Sequence, residues 1–190
     1  MNLQFITTNQ LKLERAKLVL ETFNISLTQN PLDFDELQSY DGEAIARHKA
    51  EQAYAAVGKP LVVTDDSWAI PALNDFPGPY MKAMNHYLSK DDWARLIAPL
   101  TDRRIFWHEH LVYQDASGQY YTMYSIERTL LKEPRGEHRF SHIALIDYGD
   151  GRSIAEALTA GKTSGTETNH TAWHDLAEWL TTKNDVQHVR

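Results

Sequence analysis

The chain has 190 residues, of which 42% are hydrophobic and 24% charged, with a formal net charge of −7 and no cysteine. This length suits one large domain, or one domain with a small lobe, and the acidic balance argues against nucleic acid or an anionic membrane as a broad partner. The missing cysteines exclude a disulfide framework and thiolate chemistry, no apolar run approaches the roughly 18 residues of a membrane span, and the first residues lack the pattern of a secretory leader, so a cytoplasmic protein is expected.

Residues 3–7, "LQFIT", read as a first strand. Leu13, Ala16, Leu20 and Phe23 then recur at helical spacing, and "NISLTQ" (24–29) reads as a second strand before a loop with Pro31. Ala46, Ala50, Ala53, Tyr54 and Val57 mark a helix from Glu43 to Val57, which Gly58 ends and Pro60 follows. A buried strand over 61–64 comes next, then the carboxylates Asp65 and Asp66, the stiff turn "NDFPGPY" (74–80) and a helix from about Met81. The segments 103–114 and 119–131, rich in aromatic and β-branched residues, predict a hairpin about the turn "DASG". Residues 138–148 read as one more strand, and 153–160 and 170–182 as helices. No internal linker is evident, so residues 1–190 are expected to form a single α/β domain with a mixed sheet, in two lobes at most.

Three short constellations carry chemistry. "TTNQLK" (7–12) lies at a strand-to-helix turn, where free backbone N–H groups and the helix dipole suit phosphate; Asn9 can cap the helix and Lys12 can reach the same anion. Taken alone, the segment is explained more simply by an ordinary N-cap with a solvated lysine, and the glycines of a Walker loop are missing. Asp65 and Asp66 close a core strand with paired negative charge, which a cation, a proton or a substrate must offset. With Glu36 or Glu43 as a third acid they form the hard oxygen set that magnesium prefers beside phosphates; a capped turn is the plain alternative. The two aspartates are adjacent, whereas a haloacid-dehalogenase-type nucleophile pattern spaces them by one residue. "FPGPYMK" (76–82) is a rigid corner that presents Tyr80 and Lys82, and Lys49 and Lys82 can complete a cationic ring with Lys12. The histidine pairs His108–His110, His138–His142 and His170–His174 supply no evident three- or four-ligand zinc pattern. Glu109 sits where the alternation of Ile105, Trp107, Leu111 and Tyr113 calls for an apolar residue, so it is a buried acid awaiting a partner or a break in the strand.

In this order, "TTNQLKLE", "ELQ" (36–38), "GEAIARHKAEQA" (42–53), "GKPLVVTDDS" (58–67) and "FPGPYMK" resemble the inosine triphosphate pyrophosphatase family. The resemblance covers nearly the whole first half. It implies an elongated mixed β-sheet flanked by helices, in two lobes with a cleft between them, in a protein that is usually a homodimer. It further implies magnesium-dependent hydrolysis of non-standard purine nucleoside triphosphates to a monophosphate and pyrophosphate. Carried over by position, Thr8, Asn9, Lys12, Lys49 and Ser67 would hold the substrate, with Lys82 close by. Glu36 and Asp66 would serve magnesium, and Asp65, Asp66 and Lys49 the chemistry, with Asp66 favoured as the general base.

The second half departs from that pattern. Where the family has a Phe-Gly-Tyr/Trp-Asp-Pro segment against the base, this chain has "HRFSHIALID", and only Phe140 stands in. Where the family has Ser-His-Arg, His170 remains but Thr171 replaces the arginine, and Arg15 occupies a position usually acidic. Phosphate and metal chemistry are therefore expected to be kept and base recognition altered. The alternatives are a pyrophosphohydrolase of another nucleotide, its pocket rebuilt from Trp68, Tyr80, Phe140 and His170, a catalytically idle nucleotide-binding protein and, last, a zinc hydrolase.

Overall fold

The computed structural model describes residues 1–162 and 170–187. The chain falls into two compact units, each assembled from separate stretches: 1–66, 109–124 and 169–190 in the first, 67–108 and 125–168 in the second. No helix among the described residues is long and apolar enough to cross a membrane.

Strands β1 (Asn2–Ile6), β2 (Ser26–Asn30), β3 (Leu61–Ile70), β4 (Phe76–Gly78), β5 (Arg104–Asp115) and β6 (Gly118–Thr129) form a mixed six-stranded sheet in the order β2-β1-β3-β5-β6, with β4 paired to β3. In the first unit β1 (Asn2–Ile6) lies parallel to both β2 (Ser26–Asn30) and the start of β3 (Leu61–Ile70). Parallel neighbours need crossovers, and α1 (Gln10–Leu20) and α2 (Gly42–Val57) provide them. Helix α1 starts where the Asn9 side chain accepts the N–H groups of Leu11 and Lys12, and its buried residues are Leu13, Ala16 and Leu20, as their spacing predicts. Asp41 caps α2 in the same way, and Gly58, in the left-handed region at φ 64°, ends it.

The residues of β3 alternate between two cores. Val62 packs with Leu13, Ala16 and Leu20 of α1 and with Trp173, Leu176 and Leu180 of α6 (Ala172–Gln187), whereas Leu61 and Val63 pack with Ala46, Ala50 and Ala53 of α2. The strand does not stop at Thr64, as its charged continuation suggests, but runs on to Ile70. Its first half is fixed by β1, and its second half by the antiparallel β4 (Phe76–Gly78), paired from Trp68↔Gly78 to Ile70↔Phe76. Asp65 and Asp66 are therefore consecutive residues within a strand, one on each face.

In the second unit, β4 leads into α3 (Met81–Tyr87) and α4 (Lys90–Ile97). The latter was not anticipated, although Ser89 and Asp92 form a capping box at its start. Strands β5 (Arg104–Asp115) and β6 (Gly118–Thr129) form the expected hairpin. Residues 138–148, expected as a strand, instead make a 3-10 turn over Ser141–Leu145 and isolated bridges at Ile146 and Asp147. The cause is remote in sequence: Asn85 of α3 accepts hydrogen bonds from the Ser141 hydroxyl (3.0 Å), the His142 backbone N–H (3.3 Å) and the His142 ring (2.8 Å). Ile143, Leu145 and Ile146 then pack with Ile70, Met81, Trp93 and Ile105. Helix α5 (Ile154–Thr159), capped by Ser153 and Glu156, completes this unit.

Candidate active site

The first unit gathers most of the residues singled out from sequence. At the start of α1, the Thr7 hydroxyl accepts the Asn9 N–H at 3.0 Å, and Asn9 accepts from Leu11 and Lys12 at 3.0 and 3.4 Å. Thr8 is exposed in this turn. The Lys12 side chain lies along the β3 face that Thr64 and Asp66 share: its ammonium is 3.3 Å from the Thr64 hydroxyl and 3.0 Å from Asp66 Oδ2. Thr64 was missed in the sequence; its only signal is its i, i+2 relation to Asp66.

Asp65 belongs to the opposite, α2-facing side of the strand. There Lys49 lies 3.7 Å from Glu36, and both act electrostatically on Asp65. The Asp65 carboxyl is pushed up to about 6, chiefly by burial; Lys49 and Lys12 oppose that shift, and Asp66 and Glu36 contribute to it. The alternation of one strand thus sets Asp66 in an ion pair with Lys12 and leaves Asp65 chiefly in the field of Lys49, with Lys12 acting on it as well. Glu43, weighed as a third acid, is instead held by Arg47 at 2.7 Å, one turn further along α2.

Glu109 on β5 is a buried acid with a partner: only 2% exposed, it lies 3.3 Å from Arg15 Nη2. Burial raises its carboxyl above the ordinary range, while Arg15 opposes that shift, Asp66 adds to it, and Lys12 and the Trp173 side chain oppose it.

In the second unit Ser67 is buried and Lys82 is exposed on the first turn of α3. Phe140 is 37% exposed and carries the Arg139 guanidinium 4.5 Å above its ring. Trp68 meets His142 edge-on at 5.2 Å, and burial pushes that imidazole down to about 3, so it is neutral. Back in the first unit, the exposed His170 ring bonds to Asp175 and stacks on His174 at 5.5 Å. Its neighbour Asn169 lies outside the described residues.

Among the described residues no group of three or more His, Asp or Glu side chains is placed to hold a metal by itself. Magnesium beside phosphates does not need such a group, since it takes one or two carboxylates and fills its octahedron with water and phosphate oxygens. Asp66 suits that demand: Oδ2 is bound to Lys12, while Oδ1 is buried with no hydrogen-bond partner, an orphan oxygen that a cation satisfies. Glu36 is half-exposed beside Lys49 on the other face of the strand.

The chain is similar to known proteins over almost its whole length. It is 30% identical over 188 residues to a dITP/XTP pyrophosphatase of Methanopyrus kandleri, covering 98% of both chains. It is 28% identical over 159 residues to an inosine triphosphate pyrophosphatase of Candida glabrata, covering 80% of this chain and 83% of that one. In fold it resembles the HAM1 protein of Coxiella burnetii (TM-score 0.73, 19% identity, 96% of this chain and 99% of that one). The Ham1 protein of Staphylococcus aureus is a similar match (TM-score 0.71, 17% identity, 96% and 100%). The Ham1 family profile matches residues 3–179, and with near-full-length relatives at this identity the chain belongs to the Ham1 family.

Proposed function

We propose that this protein hydrolyses a nucleoside triphosphate between the α- and β-phosphates, releasing a nucleoside monophosphate and pyrophosphate with magnesium as cofactor. The observation that carries this reading is the pair of consecutive acids on opposite faces of one strand, within the fields of Lys12 and Lys49, one with its carboxyl raised to about 6 and the other with an orphan oxygen. The names of the Methanopyrus and Candida relatives support the same activity.

The α1 N-terminus, capped by Asn9, offers backbone N–H groups to the phosphates, and Lys12 and Lys49 exchange their carboxylate partners for phosphate oxygens. Asp66 would hold magnesium, with Glu36 from across the strand as the second candidate acid, and the bound ion would neutralise phosphate charge and make a water more acidic. Asp65 takes a proton from the attacking water: its affinity near pH 6 is matched to a general base working close to neutrality. The water oxygen bonds to the α-phosphorus, the bond from that phosphorus to the bridging oxygen breaks, and the electrons leave on pyrophosphate. Lys12 and Lys49 stabilise the charge that builds there. The family resemblance favours Asp66 as base; the burial of Asp65 supports giving that role to the residue before it.

Non-standard purines are the first substrates to try, given the relatives' names. A second reading, another base in a remade pocket, is favoured by His170, whose ring is already engaged by Asp175. A homodimer working in the cytoplasm belongs to the same proposal, and sedimentation and cell fractionation check it. The decisive assay is pyrophosphate release with magnesium from ITP, XTP, dITP and the standard NTPs and dNTPs, beside Asp65→Asn, Asp66→Asn and a chelator control. Release that both variants and the chelator abolish supports the chemistry, and the best substrate identifies the base. Nucleotide binding with no release from any substrate overturns it in favour of an idle binder.

A further inference from the structure

Arg15 and Glu109 have no role in the mechanism above, yet they border it. Lys12 and Arg15 are one turn apart on α1 and so share a helix face. Lys12 is bound to Asp66 and Thr64, and Arg15 to the buried carboxylate of Glu109. The Glu109 carboxylate is also within electrostatic reach of both Lys12 and Asp66. A carboxylate only 2% exposed must be compensated by a cation or a proton. Arg15 supplies that compensation, and Lys12 is the next cation whose field reaches Glu109.

A buried ion pair of this kind is a poor stabilising device, because desolvating both charges cancels most of their attraction and an apolar pair of similar volume serves as well. Its place beside the triphosphate lysine suggests another use. We propose that Arg15 is a positioning residue: by holding Glu109 it keeps that buried charge from drawing Lys12 away from Asp66 and Thr64, where the substrate phosphates are received. The role is conditional. Arg15 matters because Glu109 is charged, and without Glu109 it becomes dispensable.

The inference rests on the proposed reading of Lys12 as a triphosphate ligand, so wild-type turnover and calorimetric binding of inorganic triphosphate are measured first. If the wild type does neither, the functional reading fails and the inference falls with it. Given wild-type activity, Arg15→Met is expected to raise KM about tenfold, the loss of one charge-assisted phosphate contact, with kcat changed far less. Arg15→Met combined with Glu109→Gln is expected to return KM to within about twofold of wild type, as is Glu109→Gln alone. Arg15→Lys, which keeps the charge, should retain most of the affinity for inorganic triphosphate. A double variant as impaired as Arg15→Met overturns the inference, because Arg15 then acts on phosphate directly or on the helix. So does a wild-type KM in folded Arg15→Met. If Arg15→Met does not fold, Arg15→Gln beside Arg15→Lys decides by triphosphate binding: equal affinities overturn the proposal, and weaker binding by the glutamine variant upholds it.

Discussion

Replacing Asp65 by asparagine should remove activity and raise stability together. The carboxyl is pushed from 3.8 to about 6 chiefly by burial, so the folded state binds its proton more tightly than the unfolded chain does. Below pH 3.8 both states are protonated and the charge costs nothing; as pH rises through 6 the native carboxyl ionises against its environment, and stability is lost. Two pKa units correspond to about 3 kcal/mol, present in full above pH 6. Asparagine keeps the shape and carries no charge, so Asp65→Asn is expected to melt about 6–12 °C above wild type at pH 8, by the usual slope for chains of this size. Scanning calorimetry of both proteins between pH 4 and 8 should show that gap closing as pH falls. A gap independent of pH, or a variant less stable at pH 8, would refute the claim that Asp65 is held at an energetic cost. Loss of turnover in the same variant then identifies what that cost secures.

The remaining predictions test neighbouring parts of the structure. With Asp65 as base, kcat/KM should fall about tenfold per pH unit below 6, and an acid limb unchanged in Asp65→Glu variants that keep activity would point to another group. A Cβ at Gly42 would lie 2.4 Å from His110 Nε2, whose ring is fixed by a 3.0 Å bond between Nδ1 and the Tyr121 hydroxyl; Gly42→Ala should cost about 1–3 kcal/mol in urea unfolding, partly recovered by a second change His110→Ala. Burial alone would raise the Asp115 carboxyl, but bonds from Lys183 (2.8 Å), Ser117 and Tyr113 (2.9 Å) hold it well below the usual range. Asp115→Asn should therefore cost about 2 kcal/mol at pH 7, a loss that shrinks as the pH falls below the unfolded carboxyl's range, opposite in slope to Asp65. An Asp115→Asn gap that grows on acidification would contradict that account.

What could be read from the sequence was what short-range physics decides. The Asn9 cap, the small-residue face Ala46–Ala50–Ala53 and the Gly58 stop each need only their own neighbours, and each is found where its spacing places it. The sequence suggests a cationic ring of Lys12, Lys49 and Lys82 and a separate set of acids; the ion pairs between them need the fold, because the strand is expected to end at residue 64 and instead carries both acids inside it. Nothing local keeps that segment extended. Strand pairing does, with β1 against its beginning and β4 against its end. The same limit explains residues 138–148, whose apolar residues fit a strand until Asn85, more than fifty positions earlier, ties Ser141 and His142 into a tighter turn. Glu109 announced itself by breaking an alternation, yet its partner on α1 could not be named without the fold.

On the proposed reading, the charge balance of the cluster favours a substrate that arrives with a cation. Lys12, Lys49 and Arg15 face Glu36, Asp65, Asp66 and Glu109, so the cluster without substrate is close to neutral or slightly negative, and each lysine already has a carboxylate partner. A bare triphosphate arriving there must detach both lysines and leave Asp66 and Glu36 uncompensated beside a polyanion. A triphosphate that brings magnesium removes that conflict, since the displaced acids gain a cation as the lysines gain phosphate. Affinity for the nucleotide should therefore depend on magnesium more steeply than phosphate screening in solution accounts for, and Asp66→Asn should flatten the dependence. On the proposed reading the two adjacent acids divide the work: Asp66, with its unpartnered Oδ1, would exchange its lysine for the metal, and Asp65, behind it, would take the proton that the attacking water must lose.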